Sequence, residues 1–487
     1  MSLVSLVLLG LVAISNAGAA PPQFADGVKP YIRSAAPRIV LTHVRIIDGT
    51  GKPATEDQNV TIEDGKIAAI YPGADVTASP DTTILDMRGR TVLPGLVGMH
   101  EHMYYVALPN LNAAGKSEEP IIVPQMMFTS PRLYLACGVT TVRTAGSVEG
   151  QSDINLRDQI DAGKLIGPHM DVTAPCLQGK GGPFLHMYQL KDADDARRFV
   201  DFWADAGATS FKAYMHITRD ELGAAIDAAH KRGLKVTGHL CSVTYPEAIA
   251  LGIDNLEHGF MVNTDLAPDK QPDVCPLYDS QAFLQRAEPD GPEAKALIEN
   301  LIAHHVALTS TLPVFEGFLP NRPTLNPRAM DVLTPEARTS YLFLRNRMAS
   351  QPLEAAAQTT KLFKRGMAME LAFARAGGLL IAGCDPSGIG NVIPGFADHR
   401  EIELLVEAGF TPLEAIRIAT LNGAIYLGRE KTIGSIEVGK SADLLIVTGD
   451  PSTKIRDIER VELVFKDGVA FDPDKLIDSV KGRYGQY

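Results

Sequence analysis

The chain has 487 residues, 45% hydrophobic and 21% charged, proportions of an ordinary globular protein long enough to bury a substantial core. Lys and Arg number 46 against 58 Asp and Glu, a formal charge of −12, and no Lys/Arg-rich run offers a footprint for phosphates, so no nucleic-acid partner is expected. Five cysteines (Cys137, Cys176, Cys241, Cys275, Cys384) without a CxxC pair are too few and too scattered for a disulfide framework, which leaves the fold to its core.

Residues 3–14, LVSLVLLGLVAI, form an apolar run followed by Ser15, Asn16 and the small residues 17–20 before Pro21. This reads as an export signal over residues 1–20, cleaved to leave a periplasmic or secreted chain, although no Lys or Arg precedes the run. The run is too short to span a bilayer, where about 20 residues are needed, so no membrane span is expected after cleavage.

From 37 to 92 short β-rich runs alternate with turn signals, as in RIVLTHVRIIDGTGKP and NVTIEDGKIAAIYPG, and residues 426–475 repeat the style in ADLLIVTGD and RVELVFKDGVAF. Two β segments at opposite ends of a chain predict one small sandwich built from both termini. Between them, over 93–425, eight apolar runs alternate with helical patterns: TVLPGLVGMH ending at His100, VTTVRTAG, MDVTAP, TSFKAY, KVTGH, IDNLEH, VALTSTL and LLIAGCD. Several helices close on glycine, as in DADDARRFVDFWADAG and YPEAIALG. The predicted fold class is therefore α/β, a (β/α)8 TIM-like barrel with an attached β-sandwich. The long connections 103–131, 259–305 and 313–345 supply material for active-site walls.

His100 and His102 stand two apart at the end of the first barrel run, where a period of two points both imidazoles to one face. Alone, an HxH pair is a weak signal and is more often structural. Here the fourth, fifth, sixth and eighth runs end near Lys212, His239, His258 and Asp385. Catalytic groups on such barrels come from the C-terminal ends of different strands. Four histidines, a lysine and an aspartate could hold two divalent ions about 3.5–4 Å apart that share a bridging hydroxide, a hydrolase centre with zinc as the expected metal.

The segments LPGLVGMHEH, ATLNGAIYLG and IGSIEVGKSADLLIVTGD resemble the amidohydrolase superfamily. GVTTVRTAG, FKAY, DNLEHG and EAGFTPLEAIRIATLNGA resemble its imidazolonepropionase-like and metallo-dipeptidase (Xaa-Pro dipeptidase) branch. The resemblance covers nearly all of the chain after the leader. It implies that His100, His102 and Asp385 bind one ion, that His239 and His258 bind the second, and that Lys212 bridges them as a carbamate. An ammonium cannot ligate a cation, but a neutral amine that takes up carbon dioxide becomes an anionic carboxylate on a long stem. Asp385 is also expected to accept a proton from the attacking water and deliver it to the leaving amine.

Tyr104, Arg143, His186, Tyr214 and His216 are candidates for substrate contact. Arg143 could clamp a carboxylate bidentately or form an internal ion pair. His186 lies in a glycine-rich stretch that could equally be a plain surface loop, and His216 could simply start the next helix. Cys384 and Cys241 read as small buried hydrophobes. The expected activity is hydrolysis of an amide-type C–N bond in a dipeptide or N-acyl amino acid. A cyclic amide or lactone is the alternative, deamination of a heterocycle is weighed against by Lys212, a non-catalytic scaffold is less favoured, and a homo-oligomer stays open.

Overall fold

The computed structural model describes residues 23–485 apart from 78, 108–109, 111–112, 115, 117, 119, 125, 183, 277–278, 280 and 387–391. The expected leader, residues 1–20, lies outside the described residues.

The β-rich runs from the two ends of the chain meet in one nine-stranded mixed sheet. Arg90–Pro94, from the N-terminal run, pairs with Leu444–Thr448, from the C-terminal run, antiparallel over five residues. Arg38–Ile46 joins this centre to Thr55–Glu63 and Lys66–Pro72 on one side, and Val461–Lys466 and Val469–Phe471 continue it on the other. Alternation along Arg38–Ile46 and its neighbours buries Ile39, Leu41, Val60, Ile62, Leu444, Ile446, Leu463 and Phe465 in one apolar layer.

Eight parallel strands follow the expected runs: Leu96–Glu101, Val139–Thr144, His169–Val172, Ser210–Ala213, Lys235–Gly238, Asn255–Glu257, Ala307–Ser310 and Leu380–Ala382. The first three pair in sequence, as do the last five. Backbone bonds from Thr209 N to Val172 O (2.8 Å) and from Ala174 N to Ser210 O (3.0 Å) join the third strand to the fourth. The bond from Asp385 N to His100 O (3.0 Å) joins the eighth to the first. The ring is thereby closed, and the backbone bond that closes it involves two of the expected metal ligands. Close approach at this seam depends on Gly383, where a Cβ would stand 2.4 Å from His100 N.

The helices between strands start and stop where their ends are chemically satisfied. Thr218 caps Arg219–Lys231 and Thr244 caps Tyr245–Leu251, each in a reciprocal box with the glutamate three residues on. Ala193–Ala206 begins at Asp192, whose side chain accepts from Asp195 N, and ends at Gly207 with φ 107°. No helix of the described residues is long and apolar enough to cross a membrane.

One expectation needs correction. A disulfide joins Cys241 to Cys275 across 34 residues. Cys241 is therefore not the free buried thiol expected, although Cys137, Cys176 and Cys384 are free and buried. The long segment after the sixth strand folds back over the end of the fifth, where Thr264 Oγ1 donates to Cys241 O (3.0 Å), a proximity that sequence spacing cannot show. The barrel interior is not uniformly apolar beneath the strand ends. Arg143, Thr237, Asn255, Glu257 and Thr309 meet there, all but inaccessible to solvent.

Candidate active site

The C-terminal ends of the first, fourth, fifth, sixth and eighth strands bring His100, His102, Lys212, His239, His258 and Asp385 together. Asp385 Oδ1 lies 3.2 Å from His102 Nε2 and 3.7 Å from His100 Nε2, and its Oδ2 lies 3.9 Å from His258 Nδ1. Lys212 Nζ stands 3.2 Å from His100 Nε2, and His258 Nε2 stands 3.0 Å from His239 Nδ1. His100, His258 and Asp385 each offer a ligand atom within 4.8 Å of the others and form a candidate metal site.

Two of the residues at this point carry backbone strain. His258 (φ 67°) and Asp385 (φ 54°) both adopt left-handed conformations, which cost a non-glycine residue on the order of 1–3 kcal/mol and persist only where surrounding structure imposes them. Both residues sit immediately after or close to a strand end, so the turn swings their side chains inward. Gly146, with φ 95°, lets the second strand's exit pass Lys212, since a Cβ there would lie 3.2 Å from the lysine Cδ.

The electrostatics suit a cation. Burial pushes the imidazoles toward the neutral form: His102 falls to about 4, His239 to about 3, and His100 and His258 are also lowered. A neutral imidazole has the lone pair a metal needs. His102 Nδ1 is buried with no hydrogen-bond partner among the described residues. Burial alone would raise the Asp385 carboxyl, but His100, His102 and His258 reverse this and hold it well below the usual carboxylate range. The donor set of imidazoles plus carboxylate matches a transition metal such as zinc.

Sequence reasoning missed the groups that aim the imidazoles. Glu257, one residue before His258, accepts at 2.7 Å from His100 Nδ1, and Thr311 Oγ1 lies 2.7 Å from His258 Nδ1. Such outer partners fix the tautomer and ring orientation of ligating histidines. The signal for Glu257 was its place in NLEH, since period two turns it into the barrel interior while the chain reverses at His258. Phe315 was also missed. Its ring lies 5.6 Å from that of His258 and forms an apolar wall.

The substrate-contact candidates divide. The Tyr104 ring lies 4.5 Å from that of His102, tilted by 35°, and Tyr214 lies 4.9 Å from His239, so both border the cluster. His216 is half-buried at the start of the turn that leads into Arg219–Lys231. His186 is exposed on the segment that follows the third strand. Arg143 does not face the mouth: with no exposed surface, it donates from Nη2 to Glu257 Oε1 (2.7 Å) and from Nε to Met99 O (2.8 Å). The internal ion pair is the alternative realised, because the arginine sits on the inward-facing register of the second strand, one level below the histidines.

Residues 91–471 match the model of the amidohydrolase family. Adenine deaminase of Ruegeria sp. (strain TM1040) is 22% identical over 440 residues, which cover 89% of this chain and 58% of that protein, so the chain spans little more than half of that relative's length. Imidazolonepropionase of Geobacillus thermodenitrificans (strain NG80-2) is 23% identical over 429 residues, 85% of this chain and 89% of that one. Among solved structures, a Xaa-Pro dipeptidase with bound methionine in its active site has a TM-score of 0.65 at 22% identity, covering 89% of this chain and 100% of that chain. That likeness is one of fold.

Proposed function

The chain belongs to the amidohydrolase family as a metal-dependent hydrolase of C–N bonds, and on that footing we propose that it cleaves the amide of a dipeptide or N-acyl amino acid. The observation that carries this reading is the position of Lys212. Its side chain is buried, its Nζ lies against His100 Nε2, and among the described residues no carboxylate stands within ion-pair distance of it. A buried ammonium without a carboxylate partner is costly. The neutral amine can add carbon dioxide with release of a proton, which would give an anion able to join two bound cations and be neutralised by them.

In this reading His100, His102 and Asp385 hold one divalent ion, His239 and His258 hold a second, and carbamylated Lys212 joins them. When bound, zinc polarises the scissile carbonyl and lowers the pKa of water. The chain's own residues then do the rest. Glu257 keeps His100 in a fixed tautomer and Thr311 holds the ring of His258 in place, so that Nε2 of each is directed at the centre. Asp385 accepts the proton of the attacking water at a carboxylate oxygen and passes it to the leaving nitrogen, which departs as a neutral amine. Tyr104 and Tyr214, half-buried phenols that desolvation keeps protonated, are placed to donate to substrate oxygens. Phe315 excludes water from the side of His258. The likeness to a Xaa-Pro dipeptidase supports a short peptide as substrate.

The likeness to imidazolonepropionase favours a second reading, opening of a cyclic amide or lactone at the same centre. Export is part of the proposal, supported by the apolar run 3–14 and by the Cys241–Cys275 bridge, which is at home in an oxidising compartment. The deciding experiment is a hydrolysis screen of the zinc-loaded protein over dipeptides, N-acyl amino acids and matched lactones and cyclic amides. Turnover of the linear amides is expected. Turnover confined to the cyclic compounds would replace the first reading with the second.

A further inference from the structure

At the opposite rim of the barrel, away from the histidine cluster, a second set of ligand-type side chains meets where the sheet packs under the barrel. His169 is the first residue of the third barrel strand. Asp443 immediately precedes the strand Leu444–Thr448, and Asp467 occupies the turn between Val461–Lys466 and Val469–Phe471. His169 Nε2 lies 3.1 Å from Asp467 Oδ1 and 3.9 Å from Asp443 Oδ2. One ligand atom from each of the three falls within 4.8 Å of the others.

The Asp443 side chain is 3% exposed, and its Oδ2, the oxygen on the His169 side, has no hydrogen-bond partner among the described residues. Its Oδ1 is occupied, accepting from Asp467 N at 2.7 Å. A buried carboxylate oxygen left without a donor is destabilising. Protonating His169 satisfies Asp467, which is nearer, but leaves the Asp443 oxygen at 3.9 Å, too far for a hydrogen bond. A cation placed among the three serves all of them at once. Four tetrahedral ligands about 2.1 Å from zinc stand about 3.4 Å from one another, a value bracketed by the two separations seen here.

The surrounding charges agree. Asp161 Oδ1 lies 3.8 Å from His169 Nδ1, so negative charge also stands on the far side of the ring. Lys466 Nζ is taken up by Asp467 Oδ2 (3.1 Å), which leaves Oδ1 for a ligand. The carboxylates of Asp161, Asp443 and Asp467 outnumber the cations Lys466 and Arg157 around the ring, an excess of negative charge that favours a bound cation. Asp467 is half exposed, and a cavity of about 320 Å³ bounded in part by Asp161, Lys466 and Asp467 lies beside the cluster.

We propose that His169, Asp443 and Asp467 form a zinc site separate from the catalytic centre, one that pins the terminal sheet to the base of the barrel. The three ligands come from a barrel strand, the strand Leu444–Thr448 and the hairpin turn beside it, so an ion there crosslinks the two layers. The test is anomalous diffraction at the zinc edge from crystals of the full chain grown with zinc. A peak within about 2.2 Å of His169 Nε2 and both aspartates is expected. A map with zinc at the strand-end histidines and none at His169 overturns the proposal.

In solution, His169→Gln and Asp467→Asn should each lower zinc content by one equivalent per chain while kcat/KM changes less than twofold. The rise in Tm that added zinc gives the natural chain should be lost in both. Unchanged zinc content in the two variants, or an equal zinc-induced rise in Tm, also overturns it. Asp467→Asn lies on a half-exposed turn, so it serves if His169→Gln does not fold, and the anomalous map needs neither.

Discussion

His100 and Glu257, 157 residues apart in the chain, meet inside the barrel with Nδ1 and Oε2 2.7 Å apart. The other carboxylate oxygen of Glu257 accepts from Arg143 at 2.7 Å. Burial would raise the Glu257 carboxyl, yet Arg143 and His100 hold it well below the usual range, so it is an anion. An anionic acceptor behind His100 fixes Nδ1 as the protonated nitrogen and leaves Nε2 as the ligand atom. Glu257→Gln is expected to weaken zinc affinity about 10–100-fold, read by competition with a chromogenic chelator. An unchanged affinity would remove the orienting role.

Asp385→Asn keeps an oxygen in the same place but cannot take a proton. A fall of about 10²–10⁴ in kcat with little change in KM is expected, the range typical of a lost general acid–base. Steady-state kinetics on the best substrate of the screen checks it. Near-natural kcat in this variant would assign the proton transfer elsewhere.

Lys212→Ala deletes the amine that takes up carbon dioxide. The natural chain loaded under ¹³C-bicarbonate is expected to show a carbamate carbon by NMR. That signal should vanish in the variant together with at least one equivalent of bound metal. A carbamate signal that survives the substitution would contradict the bridge.

Glu370, packed against Gly259 just behind His258, provides a pH test. Burial pushes its carboxyl from the ordinary 4.5 up to about 8, against a smaller opposing effect of the Ser310 hydroxyl, which donates to it at 2.7 Å. Between those values the unfolded chain has released the proton while the folded chain still holds it. Stability is therefore lost as pH rises from about 4.5 through 8, by on the order of 4 kcal/mol from this group. Glu370→Gln stays neutral and should raise Tm at pH 8 while leaving it unchanged at pH 4.5, as read by thermal melts at the two pH values.

The Cys241–Cys275 bridge closes a segment of 34 residues beside His239. Cys275→Ser is expected to cost about 2–4 kcal/mol of stability, seen as a lower denaturant midpoint. Reduction of the natural chain should shift the midpoint to the same place.

The sequence by itself determined the eight strands, the closing of the terminal β runs into one sheet, and the residues at five strand ends that gather around Asp385. Strand periodicity is local, and a side chain at the end of a parallel barrel strand can face little except the shared mouth. Only the tertiary structure decided what lies across the barrel or across a loop. The pairing of Arg143 with Glu257, the seating of His258 on Thr311, and the bridge from Cys241 to Cys275 each join positions whose separation along the chain carries no trace of their contact. The same holds for His169, Asp443 and Asp467, brought together by the packing of a sheet drawn from both ends of the chain against the foot of the barrel. Such contacts follow from the burial of whole layers against one another, which no spacing of residues in one segment encodes.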